Sequence, residues 1–165
     1  MIFMNNARTE QRSGSSLALS LVISLGAGAA GALISANSAK VIGSINTPPY
    51  QPPSWVFPVV WTALFLLMGI SSWLTASADA PYEKRRNAWN VYLWQLFFNL
   101  LWSAIFFRLG LFYAALVCLV ILWGLIAVMI IRFVMCSRTA ALLQIPYFLW
   151  VTFAAVLNRA IAVLN

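Results

Sequence analysis

The sequence predicts an all-α polytopic membrane protein, a bundle of five transmembrane helices. Of its 165 residues 63% are hydrophobic and only 8% charged, more apolar surface than a domain of that length can hide from water. Nearly uncharged runs recur five times along the chain, each about as long as the ~20 helical residues that a hydrocarbon core requires. The runs are continuously apolar, whereas a membrane barrel alternates lipid-facing with lumen-facing residues in an even number of strands.

The chain reads as one transmembrane domain, 1–165, with helices at about 15–37, 54–76, 87–107, 110–133 and 139–160. Arg8 and Arg12 precede the first span, and "SANSA" follows it in the manner of a signal-peptide cleavage site. Its apolar core is longer than a signal peptide's, so it reads as a retained helix. Within it, "SLGAGAAGALISA" sets Gly26 against Ala30, Ala27 against Gly31 and Gly28 against Ala32 at four-residue spacing, which lets a neighbouring backbone come close. The first loop, 38–53, is the long one, and Pro48, Pro49, Pro52 and Pro53 stiffen it into an extended chain. Such a loop serves equally as a lid over a cavity between helices or as a plain connector. Pro58 falls near the start of the second span, where few backbone bonds are lost. Asp79, Glu83, Lys84, Arg85 and Arg86 make the second loop polar. "RLG" at 108–110 forces a tight hairpin between the third and fourth spans, and the fourth loop, around "RFVMCSR", is hardly longer.

Five spans put the N-terminus and the second and fourth loops on one side, with Arg8, Arg12, Lys84, Arg85, Arg86, Arg132 and Arg138. The other side has Lys40, Arg108 and Arg159. This asymmetry favours a cytoplasmic N-terminus in a bacterial cell membrane. The net charge of +7 accordingly reads as topology and contact with lipid headgroups, and no nucleic-acid partner is expected.

Tryptophan positions sort by depth. Trp55 and Trp73 are 18 residues apart, roughly 27 Å of helix, which suits the two interfacial aromatic belts. Trp61 lies about 9 Å deeper than Trp55 and shares a face with Phe65 and Met68. In the third span Gln95, Asn99 and Trp102 line one face at intervals of four and three, and in the fifth Tyr147, Trp150, Ala154 and Asn158 do the same. Amides at mid-membrane are costly without partners, so the third-span face should point inward. Two readings fit these faces: interhelical glue made of bonded amides and space-filling rings, or an aromatic pocket for a flat apolar ligand with a few amides to orient it.

Missing residues exclude several chemistries. The sequence has no histidine, and its three carboxylates, Glu10, Asp79 and Glu83, lie in the tail and the second loop. Proton-coupled transport normally needs such groups within the membrane, and haem ligation by histidine, a zinc site, a serine-histidine triad and paired-carboxylate hydrolysis all lack parts. No metal and no cofactor is expected. Cys118 and Cys136 are 18 residues apart, about 27 Å along a helix, too far to bridge.

The stretch "PPYQPPSWVFPVVWTALFLLMGISSWL" resembles the most recognisable segment of the tryptophan-rich sensory protein family, also called the translocator protein or peripheral-type benzodiazepine receptor family. "QLFFNLLWSAIFF" and "RTAALLQIPYFLWVTFAAVLN" are similar to the family's third and fifth helices, so the resemblance covers the chain from about Pro48 to Asn165. It implies a five-helix bundle, commonly a homodimer, that binds porphyrins or related tetrapyrroles for transport or for stress- or oxygen-linked signalling, with the first loop, 38–53, as a rigid lid over the pocket into which Trp61 looks. The implied ligand-binding residues are Trp61, Phe65, Asn99, Trp102, Trp150 and Ala154, to which the faces described above add Gln95 and Tyr147. Some bacterial members are described as degrading porphyrins in light, and the tryptophans implicated there match Trp61 and Trp150, the only catalytic candidates. A membrane scaffold without a small-molecule ligand is a third reading. The chain departs from the family pattern at Val41 and Ile42, where many members have a Trp-Tyr pair, and at Cys118, where an acidic residue is often found. "VLNRAIAVLN" keeps Arg159 but lacks the aromatic of a cholesterol-type pattern, which makes steroid a poor ligand for it.

Overall fold

The computed structural model describes the backbone of residues 2–36 and 38–165, and the side chains of 17–36, 40, 41 and 43–165. Arg8 and Arg12 of the charge count and Ile42 of the first loop lie outside the described side chains. Seven helices follow in order: α1 (Ile2–Ile34), α2 (Ser38–Gly43), α3 (Val56–Ala76), α4 (Tyr82–Phe107), α5 (Phe112–Val134), α6 (Arg138–Leu142) and α7 (Ile145–Leu164). Five stretches are long and apolar enough to cross a membrane: Leu17–Ile34, Val56–Ala76, Tyr82–Phe107, Phe112–Val134 and Arg138–Leu164. The protein is an all-α, multi-pass integral membrane protein.

α1 begins at Ile2 instead of near 15, and three further boundaries differ from the sequence expectation, each for a local reason. The third span starts at Tyr82 instead of near 87, because a helix need not stop where the hydrocarbon does. Its first turn leaves the membrane with Glu83 and Arg86 paired at 2.7 Å and Pro81 in front of it. The fifth span is broken into α6 and α7, since Pro146 has no N–H to give to the carbonyl four residues back and is accommodated in the first turn of a new helix. The first loop is not wholly extended, for α2 occupies Ser38–Gly43 ahead of its prolines.

Packing runs round a ring. α1 lies against α3 and α4, α4 against α5, and α5 against α7, while α6 reaches α3 and α5. Close approach of α1 and α3 depends on Gly69, where an added Cβ would stand 2.5 Å from Ser24 Oγ and 3.1 Å from the Leu21 Cα. Gly28 does the same for a side chain: its missing Cβ leaves room for the Phe65 ring. Gly110, at φ +65°, makes the tight turn between α4 and α5. Arg108 in that turn donates from Nε to the Ile34 carbonyl at 2.8 Å and from Nη2 to the Leu33 carbonyl at 3.2 Å, so a cation sits on the C-terminal end of α1. The remaining seam, between α3 and α7, is different. Their backbones barely approach, and long side chains fill the gap.

Candidate functional site

Mid-depth side chains of α3, α4 and α7 converge on Trp61. Its ring lies 5.7 Å from Phe65, 6.4 Å from Trp102 and 6.2 Å from Tyr147, the last edge-on. These separations are those of attractive aromatic pairs, so the cluster is packed, with the rings themselves occupying the space between the helices. Beneath the rings runs a chain of hydrogen bonds. Asn99 Nδ2 donates to the Tyr147 hydroxyl at 3.0 Å, and that hydroxyl donates to Gln95 Oε1 at 2.9 Å. Gln95 Nε2 points to Met68 Sδ at 3.7 Å. Toward the first-loop end, Trp102 Nε1 donates to Asn158 Oδ1 at 3.1 Å, and Asn158 Nδ2 donates to the Phe112 carbonyl at 2.9 Å. Gln95, Asn99, Tyr147 and Asn158 are buried with these bonds made, the condition under which amides are tolerated at that depth.

Seven of the eight candidate ligand residues thus belong to one inner surface: Trp61, Phe65, Gln95, Asn99, Trp102 and Tyr147 through direct contacts, and Ala154 as a buried position four residues before Asn158 on the same stripe of α7. Trp150 is set apart. Its ring lies 5.9 Å from Phe57 and 5.6 Å from Phe153, and among the described residues no ring contact joins it to Trp61. It lines an open apolar groove of about 480 Å³ along the α3/α7 seam, with Val60, Ala63, Leu67, Pro146 and Phe153. That volume falls in the range of about 300–1,000 Å³ usual for small-molecule sites. The indole Nε1 of Trp150 is buried there and has no hydrogen-bond partner among the described residues.

Sequence reasoning missed Phe57 and Phe153, the rings that seat Trp150. Phe153 was accessible to it, being three residues beyond Trp150 on one helical face. It also missed the clasp that holds the first loop. The Asn46 backbone N–H donates to Asn165 Oδ1 at 2.8 Å, Asn165 Nδ2 donates to the Asn46 carbonyl at 2.9 Å, and Asn46 Nδ2 donates to the Leu164 carbonyl at 3.3 Å. With Ile45 packed on the core and Pro48 buried, the loop lies across the end of the bundle at which α7 finishes and α3 begins.

The described residues thus form a packed aromatic cluster over a bonded amide chain, with an open apolar groove beside the loosely joined α3/α7 seam. Comparison with known proteins gives the same arrangement of spans a family. The TspO/MBR family model matches residues 18–164. Tryptophan-rich protein TspO of Chlorobaculum tepidum is 38% identical over 152 residues, covering 90% of this chain and 95% of that protein. The tryptophan-rich sensory protein of Cereibacter sphaeroides is 36% identical over 115 residues, 70% of each. The translocator protein of Ovis aries is 32% identical over 116 residues, 70% of this chain and 69% of that one. With the match running through all five spans and the residues of the inner surface, the chain belongs to the TspO/MBR family.

Proposed function

We propose that this protein binds a porphyrin or related tetrapyrrole within the membrane, reversibly, for transport or for stress- or oxygen-linked signalling. The observation that carries the reading is the α3/α7 seam, where an open apolar groove is walled by Trp150 and Phe153 of α7 and by Val60, Ala63 and Leu67 of α3. A macrocycle entering there would stack on rings and displace lipid, with the Gln95–Tyr147–Asn99 chain within the same group of helices to meet its polar edge. Relatives named as sensory and translocator proteins are of the same kind. In this reading the protein is a homodimer, for which the support is the family resemblance, and its basic second and fourth loops face the cytoplasm of a bacterial cell membrane, for which the support is the charge excess. Titrating purified protein in lipid nanodiscs with protoporphyrin and following tryptophan fluorescence tests the binding. Saturable quenching, weakened by Ala63→Phe on the groove wall, is expected. Unsaturable quenching identical in empty nanodiscs rejects the reading and leaves a scaffold.

A specific observation favours a second reading, light-dependent breakdown of the same ligand. The Trp150 N–H has no hydrogen-bond partner among the described residues, so its hydrogen atom is available to a photoexcited macrocycle, which would become the reduced radical while the indole becomes an indolyl radical. Illumination of the complex separates the two. Bleaching that persists after Trp61→Phe and Trp150→Phe are combined rejects this second reading and leaves reversible binding.

A further inference from the structure

One helical turn from the Gln95–Tyr147 contact, toward the second loop, the core becomes polar again at a level the proposed ligand site does not use. Tyr92 is three residues before Gln95 on α4, and Gln144 is three before Tyr147 at the break between α6 and α7. The third and fifth spans run parallel and are tied by the Gln95–Tyr147 bond, so one turn back along each puts Tyr92 and Gln144 at about the same depth. α3 runs the other way and adds Ser71 and Ser72, three and four residues beyond Met68, whose sulfur meets Gln95. α1 adds Ser24, which sits against Gly69. All five are completely buried.

The serines are satisfied by the protein. Ser71 Oγ donates to the Ala140 carbonyl at 2.7 Å, Ser72 Oγ to the Gly69 carbonyl at 3.0 Å and Ser24 Oγ to the Ser20 carbonyl at 3.1 Å. Tyr92 and Gln144 are not. The Tyr92 hydroxyl is flanked by Ser72 and Ser24 without meeting hydrogen-bond geometry to either, and both Nε2 and Oε1 of Gln144 lack a partner. Orphaned buried groups cost about 1–3 kcal/mol apiece, and surrounded by hydrocarbon they have no lipid-side remedy. Three such atoms at one level point to an occupant that both donates and accepts. The five side chains are neutral, so nothing among them offsets the charge of an ion, and the Gly69 approach leaves little width. Water fits these requirements, since it bridges two to four polar groups and is the usual partner of buried polar atoms that the protein leaves unpaired.

We propose that the layer formed by Tyr92, Gln144, Ser72 and Ser24 is a second binding site, which holds ordered water inside the bundle. The water accepts a hydrogen bond from the Tyr92 hydroxyl or donates one to its oxygen, and it serves the Gln144 amide where Pro146 has interrupted the fifth span. Its neighbour one turn away, Tyr147, needs none of it, because both of that hydroxyl's bonds are made within the protein.

Radiolytic hydroxyl-radical footprinting of the full-length protein in nanodiscs tests this directly, because radicals formed from a bound water oxidise side chains beside it, however buried. Tyr92 is expected to be modified several-fold faster than Phe106, a buried aromatic in the same helix that is slightly the more exposed of the two. Gln144→Leu, which removes the amide, is expected to reduce the Tyr92 rate toward that of Phe106. Tyr92 reacting no faster than Phe106 in the unmodified protein means the layer is dry and overturns the proposal, whether or not the variant folds. A Tyr92 rate unchanged by Gln144→Leu in folded protein overturns it too, because the water would then not be held by Gln144. Neither result depends on whether a tetrapyrrole binds.

Discussion

At the scale of single residues, Tyr147 decides how the inner surface is held. Its hydroxyl accepts from Asn99 and donates to Gln95, so replacing it orphans two amides at once. Tyr147→Phe is expected to cost about 1–2 kcal/mol, between the modest averages for interhelical bonds in membranes and the full penalty of an unpartnered buried group. Thermal unfolding in detergent measures it, and in a cycle with Gln95→Leu the two losses should sum to less than additive, because both remove the same bond. The inward direction of Gln95, Asn99 and Trp102 was legible in the sequence, since hydrocarbon forbids unpaired amides and the spacing puts all three on one face. Their partners were not, because nothing in α4 says that a phenol two spans away in the chain will bridge two amides. Trp150 shows the other limit. Three residues at about 100° each leave it about 60° away from Tyr147 around α7, enough to turn the ring out of the Trp61 cluster and against Phe57.

Between elements, the tightest constraints fall on glycines whose importance the sequence stated only in part. The run of small residues in the first span was readable as a close-packing face, and Gly28 fulfils that reading against Phe65, whereas a Cβ on Gly26 would meet nothing within 4 Å. The closest backbone approach instead uses Gly69 of α3, which stands alone in "LLMGISS" and belongs to no small-residue pattern. Gly69→Ala is expected to push α1 from α3 and cost about 1–3 kcal/mol, as overpacking does. Gly110→Ala should cost about 1–2 kcal/mol for a different reason, the left-handed backbone at φ +65°, with open space around the added methyl. Melting curves distinguish them. A smaller residue at Leu21 should recover part of the Gly69→Ala loss and none of the Gly110→Ala loss. The break at Gln144 was also hidden, because Pro146 lies inside a run whose hydropathy is uninterrupted, and only backbone bonding reveals where a proline divides a span.

For the whole molecule, two consequences follow from having polar devices at opposite ends of the bundle. Cys136 lies at the end of α5 beside the basic second loop; burial pushes its thiol up, against the pull of Lys84 and Arg85. In the proposed orientation a membrane-impermeant maleimide should label it in sealed vesicles from the cytoplasmic side only, and the rate should keep rising with pH beyond the range where an ordinary exposed thiol has levelled off, since the thiolate is what reacts. Labelling from the opposite side reverses the orientation. At the other end, the first loop's stiffness was visible in its prolines, but whether it was a lid or a connector was not, because its fastening lies 119 residues away in the Asn46–Asn165 clasp. That clasp is exposed, so its bonds add little to folding stability; net values of about 0.5–1.5 kcal/mol each apply to intramolecular bonds generally, and water competes for these. Their effect should appear in kinetics instead. If the ligand leaves past the first loop, Asn46→Ala removes the side-chain bond to Leu164 and loosens the loop over the Trp102–Asn158 level, while Asn165→Ala removes the two bonds to the Asn46 backbone. Protoporphyrin dissociation, followed by stopped-flow recovery of tryptophan fluorescence, should then accelerate by up to about tenfold for Asn165→Ala, the equivalent of about 1.4 kcal/mol, and by less for Asn46→Ala, with melting temperatures nearly unchanged. Equal off-rates in all three proteins, with the clasp broken, would send the ligand out through the α3/α7 seam instead, and Leu149→Trp on the groove wall should then slow it.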